Sequence, residues 1–174
     1  MKKIFLMFVL MILVMIGCSK DYDNEEVVAI VGEKEITVGE LRLQYNLEDR
    51  VLSDVIKDYV KEEVMVQEAK KTGMDVTNEV EELKALNNPF PNEQNQQQAE
   101  YAKENAEKLG MTEEEYYDRY IEITSQRSAY VTKLLDEKVG ELDKEDADTY
   151  ILKVNEYVSK VLNKYSDDIE ILIR

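Results

Sequence analysis

The chain has 174 residues, 38 of them acidic and 22 basic, which gives a formal net charge of −16 at pH 7. Such a chain is not drawn to nucleic acid or to anionic lipid by its own electrostatic field. It contains no histidine and only one cysteine, so the Ser-His-Asp triad, the usual zinc sites and an intramolecular disulfide are excluded. The composition favours a protein that is not an enzyme, and we predict no catalytic residues, no metal and no cofactor.

The first eighteen residues have the pattern of an export signal. Lys2 and Lys3 precede thirteen unbroken apolar residues from Ile4 to Ile16. This run is shorter than the ~20 apolar residues that a membrane span needs. It is followed by the only cysteine of the chain, and the tetrad 15–18, MIGC, resembles a bacterial lipobox. In a lipobox the cysteine thiol receives a diacylglyceryl group and becomes the new N-terminus after cleavage.

Two other interpretations of this segment are an uncleaved anchor and an ordinary signal peptide with an incidental cysteine. We favour lipidation of Cys18, because the one cysteine of the chain stands at this position and nowhere else. Two or three acyl chains would then hold the protein stably on a membrane. The sequence then divides into a lipoprotein signal peptide (1–17), an acidic tether (18–26) and one domain (27–174). We expect the domain to lie on the extracytoplasmic face of a bacterial cell membrane, bound to membrane lipid through the acylated Cys18.

The domain opens with a strand, a turn and a capped helix. Val27–Val31 is a β-branched run that predicts a buried strand, and the glycine-containing turn after it leads to a short return strand. Thr37 and Glu40 have the spacing of a capping box, in which each side chain satisfies a free backbone N–H. The helix that they open is predicted to end near Asn46.

Three further helices follow before residue 110. A long one is predicted from about Glu48 to Lys71, with Gly73 as its left-handed C-terminal cap. The next opens at Thr77, presents one apolar face and stops before the segment 87–91, NNPFP. The third runs from near Glu93 to Gly110. The predicted apolar face of the helix that opens at Thr77 consists of Val80, Leu83 and Leu86.

The last third of the chain predicts two helices and a strand. Thr112 and Glu115 form a second capping box at the start of a helix that reaches about Lys138. The final helix, about 144–165, has the most regular apolar period in the chain, and Ile169–Ile173 reads as a terminal strand. A lone strand needs a partner for its backbone, and the strongest one is Val27–Val31. We therefore predict a mainly α (α+β) domain, closed by a small sheet that pairs the N- and C-terminal strands.

The order of these motifs resembles the SurA/PrsA class of extracytoplasmic foldases, and specifically their N-terminal helical chaperone domain. The similarity is carried by 28–41 (VAIVGEKEITVGEL), by 60–77 (VKEEVMVQEAKKTGMDVT) and by 109–116 (LGMTEEEY). The closing helix leads into the segment 168–173, which resembles the return strand of that family. The family usually has asparagine where this chain has Val31, which affects only the turn geometry.

The resemblance implies a multi-helix chaperone domain that binds unfolded or secreted polypeptides. Members of the family often carry a parvulin prolyl isomerase domain before the last helix. Here the segment 140–143, GELD, leaves room at that junction for a turn only. Prolyl isomerase activity is therefore the weakest of the functions considered.

Aromatic residues are the candidate contacts for a client polypeptide. Tyr116, Tyr117 and Tyr120 lie on one predicted helix, where the alternative is a core role with hydroxyls that reach the surface. Phe90 lies between two prolines in a polar loop, either as a client contact or as a plug that seats the loop. Arg127 interrupts the apolar stripe of the same helix and predicts a salt bridge at the edge of the core.

The function that these observations favour is a membrane-anchored, extracytoplasmic, chaperone-like lipoprotein that binds unfolded or exported polypeptides without catalysis. The alternative is a non-catalytic interaction lipoprotein with one dedicated protein partner. A sheltered apolar cleft would favour the chaperone, and a single flat apolar patch would favour the dedicated partner.

Overall fold

A computed structural model describes residues 22–45, 47, 52–87, 96–142 and 146–173. The predicted signal peptide, Cys18 and Phe90 lie outside the described residues. The described part is mainly helical, with six α-helices and a small three-stranded antiparallel sheet. The helices are α1 (Val38–Gln44), α2 (Leu52–Lys71), α3 (Thr77–Asn87), α4 (Gln96–Leu109), α5 (Glu113–Lys138) and α6 (Ala147–Lys164). The strands are β1 (Val27–Val31), β2 (Lys34–Thr37) and β3 (Ile169–Ile171).

The sheet joins the two ends of the domain, as the sequence predicts. Its strand order is β2-β1-β3, so β1 is central and both neighbours run antiparallel to it. In the β1–β3 pair, Val31 lies opposite Ile169 and Ala29 lies opposite Ile171. Gly32 makes the turn from β1 to β2 with a φ of 62°, a conformation that glycine adopts without steric cost. The predicted pairing of the terminal strands is confirmed.

Both predicted capping boxes are present. At the start of α1, Thr37 Oγ1 accepts a hydrogen bond from Glu40 N at 3.2 Å, and Glu40 Oε2 accepts one from Thr37 N at 3.1 Å. Thr112 and Glu115 repeat this arrangement at the start of α5, with distances of 3.2 and 2.9 Å. Each box satisfies two backbone donors that the first turn of a helix leaves free.

The main core lies between the sheet and helices α1, α2, α5 and α6. α2 supplies the largest share of its buried residues, because its apolar stripe faces the sheet on one side and α5 on another. A second, smaller core fills the space between α1, α4 and α5 around Leu43, Ala102, Ala106 and Tyr116. The largest fully buried side chains of the main core are Tyr59, Tyr165, Ile36, Leu41, Ile56 and Leu134.

Two predicted apolar faces are only partly buried. Leu86, assigned to the buried face of α3, is 81% exposed. In α6 the C-terminal half buries Val161 against the core, but Ile151, which belongs to the predicted apolar face, is 54% exposed. Leu152, which lies outside that face, is 65% exposed. The packing is incomplete because α6 leaves its neighbours in its first two turns, whereas its apolar period continues. The predicted burial of these two faces is therefore wrong in part.

The end of the predicted tether belongs to the folded domain. Asn24 O accepts a hydrogen bond from Gly39 N at 2.9 Å, and Asn24 Nδ2 donates to Lys108 O at 2.8 Å. A Cβ at Gly39 would lie 3.1 Å from Asn24 O, so a larger residue would push this contact apart by a few tenths of an ångström. Glu26 O also accepts a hydrogen bond from Val38 N. Backbone hydrogen bonds thus join Asn24 and Glu26 to α1, and the Asn24 side chain joins this segment to α4.

Candidate client-binding cleft

An apolar cleft opens between the start of α1 and the turn that joins α4 to α5. Its volume is about 760 Å³. Four apolar side chains form its floor, namely Leu43, Leu109, Met111 and Ile123. Charged side chains form its rim, namely Glu25, Glu40, Asp118, Arg119 and Glu122. We refer to this group of residues as the cleft.

The turn from α4 to α5 sets the position of one wall. Gly110 ends α4 with a φ of 67°, in the left-handed region that favours glycine. Met111 N then donates to Ala106 O at 3.0 Å, and Met111 lines the cleft just before the Thr112 cap starts α5. Along α5 the pairs Asp118/Glu122 and Arg119/Ile123 are each four residues apart, so they lie on neighbouring strips of one helix surface.

Tyr116 supports the floor from below. Its hydroxyl donates to Leu43 O at 3.1 Å, which ties α5 to the end of α1. Its ring meets Tyr101 edge to face at a centroid distance of 6.3 Å and stacks on Tyr120 at 6.1 Å. Burial raises the pKa of the Tyr116 hydroxyl far above its usual value, and the nearby Tyr101 adds to the effect. The hydroxyl is therefore a neutral hydrogen-bond donor at every physiological pH.

The tyrosines that the sequence marked as client contacts lie beside the cleft instead of lining it. Tyr116 is 1% exposed and belongs to the second core, so a direct contact with a client does not fit its position. Tyr117 and Tyr120 are half-buried, and neither is among the residues that line the cleft. The core alternative describes Tyr116 correctly. Tyr120 stacks on Tyr116 beside the cleft, and the client-contact role of Tyr117 and Tyr120 stays a prediction.

The cleft residues themselves were missed by sequence reasoning. Leu43, Met111 and Ile123 are not among the client contacts that the sequence predicts. A usable signal was the Leu-Gly-Met turn, where two apolar residues flank a helix-ending glycine at the surface. The rim carboxylates could not have been found, because their grouping depends on how α1 packs against α5.

A small cavity of about 130 Å³ adjoins the cleft and is lined by charged residues. Arg127 Nη1 donates to Glu63 Oε2 at 2.6 Å, and Lys34 Nζ donates to the same oxygen at 3.0 Å. The Arg127 guanidinium lies 4.2 Å from the ring centroid of Tyr59, a cation–π contact. The salt bridge predicted for Arg127 is confirmed.

Two cations, Lys34 and Arg127, keep the buried Glu63 carboxylate ionised. Burial raises the pKa of Glu63, but the Lys34 charge and the Arg127 hydrogen bond outweigh burial and hold that pKa below its usual value. Glu63 therefore stays ionised beside its two cations, an arrangement that holds α2, α5 and β2 together.

Among the described residues, no group of three or more histidine, cysteine, aspartate or glutamate residues is placed to hold a metal ion. Nor is any helix in that part of the chain long and apolar enough to cross a membrane.

No protein-family model matches the chain, and comparisons with curated proteins and with solved structures also gave no match. The resemblance to the SurA/PrsA class consequently rests on the sequence motifs alone.

Proposed function

We propose that the protein is a membrane-anchored extracytoplasmic chaperone with a fold of the SurA N-terminal type, which binds unfolded or exported polypeptides in the cleft without catalysis. Lipidation of Cys18 would keep it on the outer face of the cell membrane. The motifs in 28–41, 60–77 and 109–116 support this proposal, since they occur in the order and spacing of that family.

The observation that carries the proposal is an apolar floor that solvent can reach. Leu109, Met111 and Ile123 are each partly exposed within a concave surface, whereas an isolated apolar residue on a convex surface would need no explanation. Apolar contacts are non-directional and scale with the area buried, so such a floor suits clients of varied sequence. The flexible thioether of Met111 adapts to different side chains.

Suppression of client aggregation, followed by light scattering, tests the proposal. The full-length protein in a neutral detergent should slow the aggregation of several unrelated unfolded clients. Met111→Ser and Ile123→Ser should each weaken this suppression, because they remove apolar area from the floor. Ile151→Ser is the matched control, since Ile151 is an exposed isoleucine of α6 outside the cleft. Far-UV circular dichroism should show unchanged helical content in all three variants.

A protein with one dedicated partner is the second candidate. The observation that favours it is the exposed apolar surface at the start of α6, where Ile151 and Leu152 are uncovered within the described part of the chain. If the wild-type protein slows the aggregation of none of the unrelated clients, the dedicated-partner function becomes the better explanation.

A further inference from the structure

The charged rim of the cleft indicates which client segments the cleft accepts. Resting on the proposed function, we infer that the cleft selects segments in which apolar side chains are flanked by lysine or arginine. Four carboxylates line the rim, and Arg119 is the one cation among the described residues that line the cleft. A bound segment therefore faces an excess of negative charge on both sides of an apolar floor.

Two of the four rim carboxylates are paired with lysines outside the cleft, which offset part of the negative charge. The pairs are Glu40 with Lys34 at 3.5 Å and Glu122 with Lys84 at 2.6 Å. Asp118 and Glu25 are exposed and have no ion pair within the part of the chain that the structure describes. A client cation can approach both of them from solvent.

Arg119 offsets part of the rim charge. Hydrogen bonds from Thr112 lower the pKa of Glu115, and the Arg119 charge lowers it further, so the guanidinium also lies close to a carboxylate outside the cleft. With four carboxylates and one guanidinium, the lining of the cleft remains negative. The whole chain, with a net charge of −16, adds repulsion toward acidic segments.

The geometry suits the side chains of lysine and arginine in particular. Their aliphatic stems can lie along apolar surface while the charged head stays in water. Here the stem would cover Ile123 or Met111 and the head would reach Asp118 or Glu25. Charges on the rim and on a bound segment lie within the Debye length of about 8 Å that holds at physiological ionic strength, so salt does not fully screen them.

Binding of three fluorescein-labelled peptides to the full-length protein in neutral detergent, measured by fluorescence anisotropy, tests this inference. The peptides share one apolar core and are flanked by lysines, by glutamates or by serines. We expect the lysine-flanked peptide to bind roughly tenfold tighter than the glutamate-flanked one at low salt, and the difference to shrink in 0.5 M NaCl (about a 4 Å screening length).

Variants locate the preference in the cleft. The double variant Glu25→Gln/Asp118→Asn should weaken binding of the lysine-flanked peptide by about three- to tenfold, as expected for exposed charge pairs. Arg119→Gln should act in the opposite direction and strengthen it. Asp136→Asn/Glu156→Gln makes the same change in net charge at two exposed sites outside the cleft and should leave the affinity unchanged.

The outcomes separate this inference from the function on which it rests. Equal affinities for all three peptides, or equal effects of the two double variants, would overturn the inference and leave a chaperone without charge preference. If no peptide binds, including the serine-flanked one, the proposed function itself fails.

Discussion

The buried ion cluster around Glu63 is the most constrained group of side chains in the protein. Glu63 is 4% exposed and Arg127 is 5% exposed. Gln67 donates to Glu63 Oε1 at 3.2 Å and to Val31 O at 3.0 Å, which links the cluster to the central strand. A buried carboxylate with this many donors depends on all of them, because each unmet charge carries a large desolvation penalty.

Replacing Arg127 should therefore destabilise the protein strongly. We expect Arg127→Met to lower the free energy of unfolding by about 3–5 kcal/mol, since it leaves Glu63 buried with Lys34 as its remaining cation. Adding Glu63→Gln should restore part of the loss. Urea unfolding of the two single variants and the double variant measures the coupling. The exposed Arg119→Gln serves as the control and should change stability by less than ~0.5 kcal/mol.

Acid should destabilise the fold through the same cluster. The pKa of Glu63 lies below its ordinary value of 4.5 in the folded state, because Lys34 and Arg127 outweigh the effect of burial. The stability that this carboxylate contributes is thus present above pH 4.5 and is lost as the pH falls through the lowered, folded-state pKa. Denaturant unfolding between pH 3 and 6 should show a steeper loss for wild type than for Glu63→Gln. Equal slopes would show that Glu63 does not carry this dependence.

Single residues also show where sequence reasoning ends. Arg127 could be predicted to form a salt bridge, because a cation inside an apolar stripe needs a partner. The identity of that partner, Glu63 on α2, depends on tertiary packing. Tyr116 could be placed on a buried helix face, but the sequence does not tell whether such a face meets the core or an open cleft. The cleft lies one turn away from it, at residues that carry no aromatic ring.

At the level of helices and strands, the capping boxes are the features that local sequence predicts best. Both need only residues three apart, and both hydrogen-bond pairs are formed. The box at Thr112 has an additional effect, because it fixes the start of α5 directly beside Met111 and the cleft floor.

Removing this cap should cost a measurable part of the stability. We expect Thr112→Ala to lower the free energy of unfolding by about 1 kcal/mol, since the N–H of Glu115 loses its acceptor. Thr132→Ala, at an exposed interior position of the same helix, is the control and should be neutral or slightly stabilising. Thermal unfolding compares the two. A loss at Thr132 as large as that at Thr112 would exclude capping as the cause.

The spacing of apolar residues predicted where the helices lie in the sequence, but not which helices pack against one another. α2 buries its whole stripe because the sheet, α5 and α6 surround it. The stripe of α6 has the same regularity, yet only its second half reaches α2. Periodicity gives the direction of an apolar face, whereas the extent of its burial depends on where neighbouring helices end.

On the scale of the whole molecule, the fold is closed by β3. Deleting residues 169–174 should destabilise the protein well beyond the ~1 kcal/mol of a typical point substitution, because β1 loses its ladder on one side. Glu170→Gln is the control, since it keeps the backbone pairing and changes one exposed side chain. Melting temperatures followed by circular dichroism test this, and an unchanged temperature in the truncated protein would refute closure by β3.

Lipidation at Cys18 is a prediction for the full-length protein. Wild type should fractionate with membranes and carry an acylated N-terminus at Cys18 by mass spectrometry. Cys18→Ser should lose the acyl groups and the processing that depends on them. A wild-type protein that still begins at Met1, or that is cut at another bond, would contradict the anchor.

The central position of β1 has a consequence for how the chain folds as it is synthesised. β1 and β2 are joined by a tight turn and can pair at once, but β3, the other neighbour of β1, begins only at Ile169. Until β3 has been synthesised, β1 presents a row of free backbone N–H and C=O groups, the kind of open edge on which other chains add strands. Long-range closure of this sort is also slow, because the intervening chain must first be brought together. The central strand is therefore open to strand addition by other chains until β3 pairs with it.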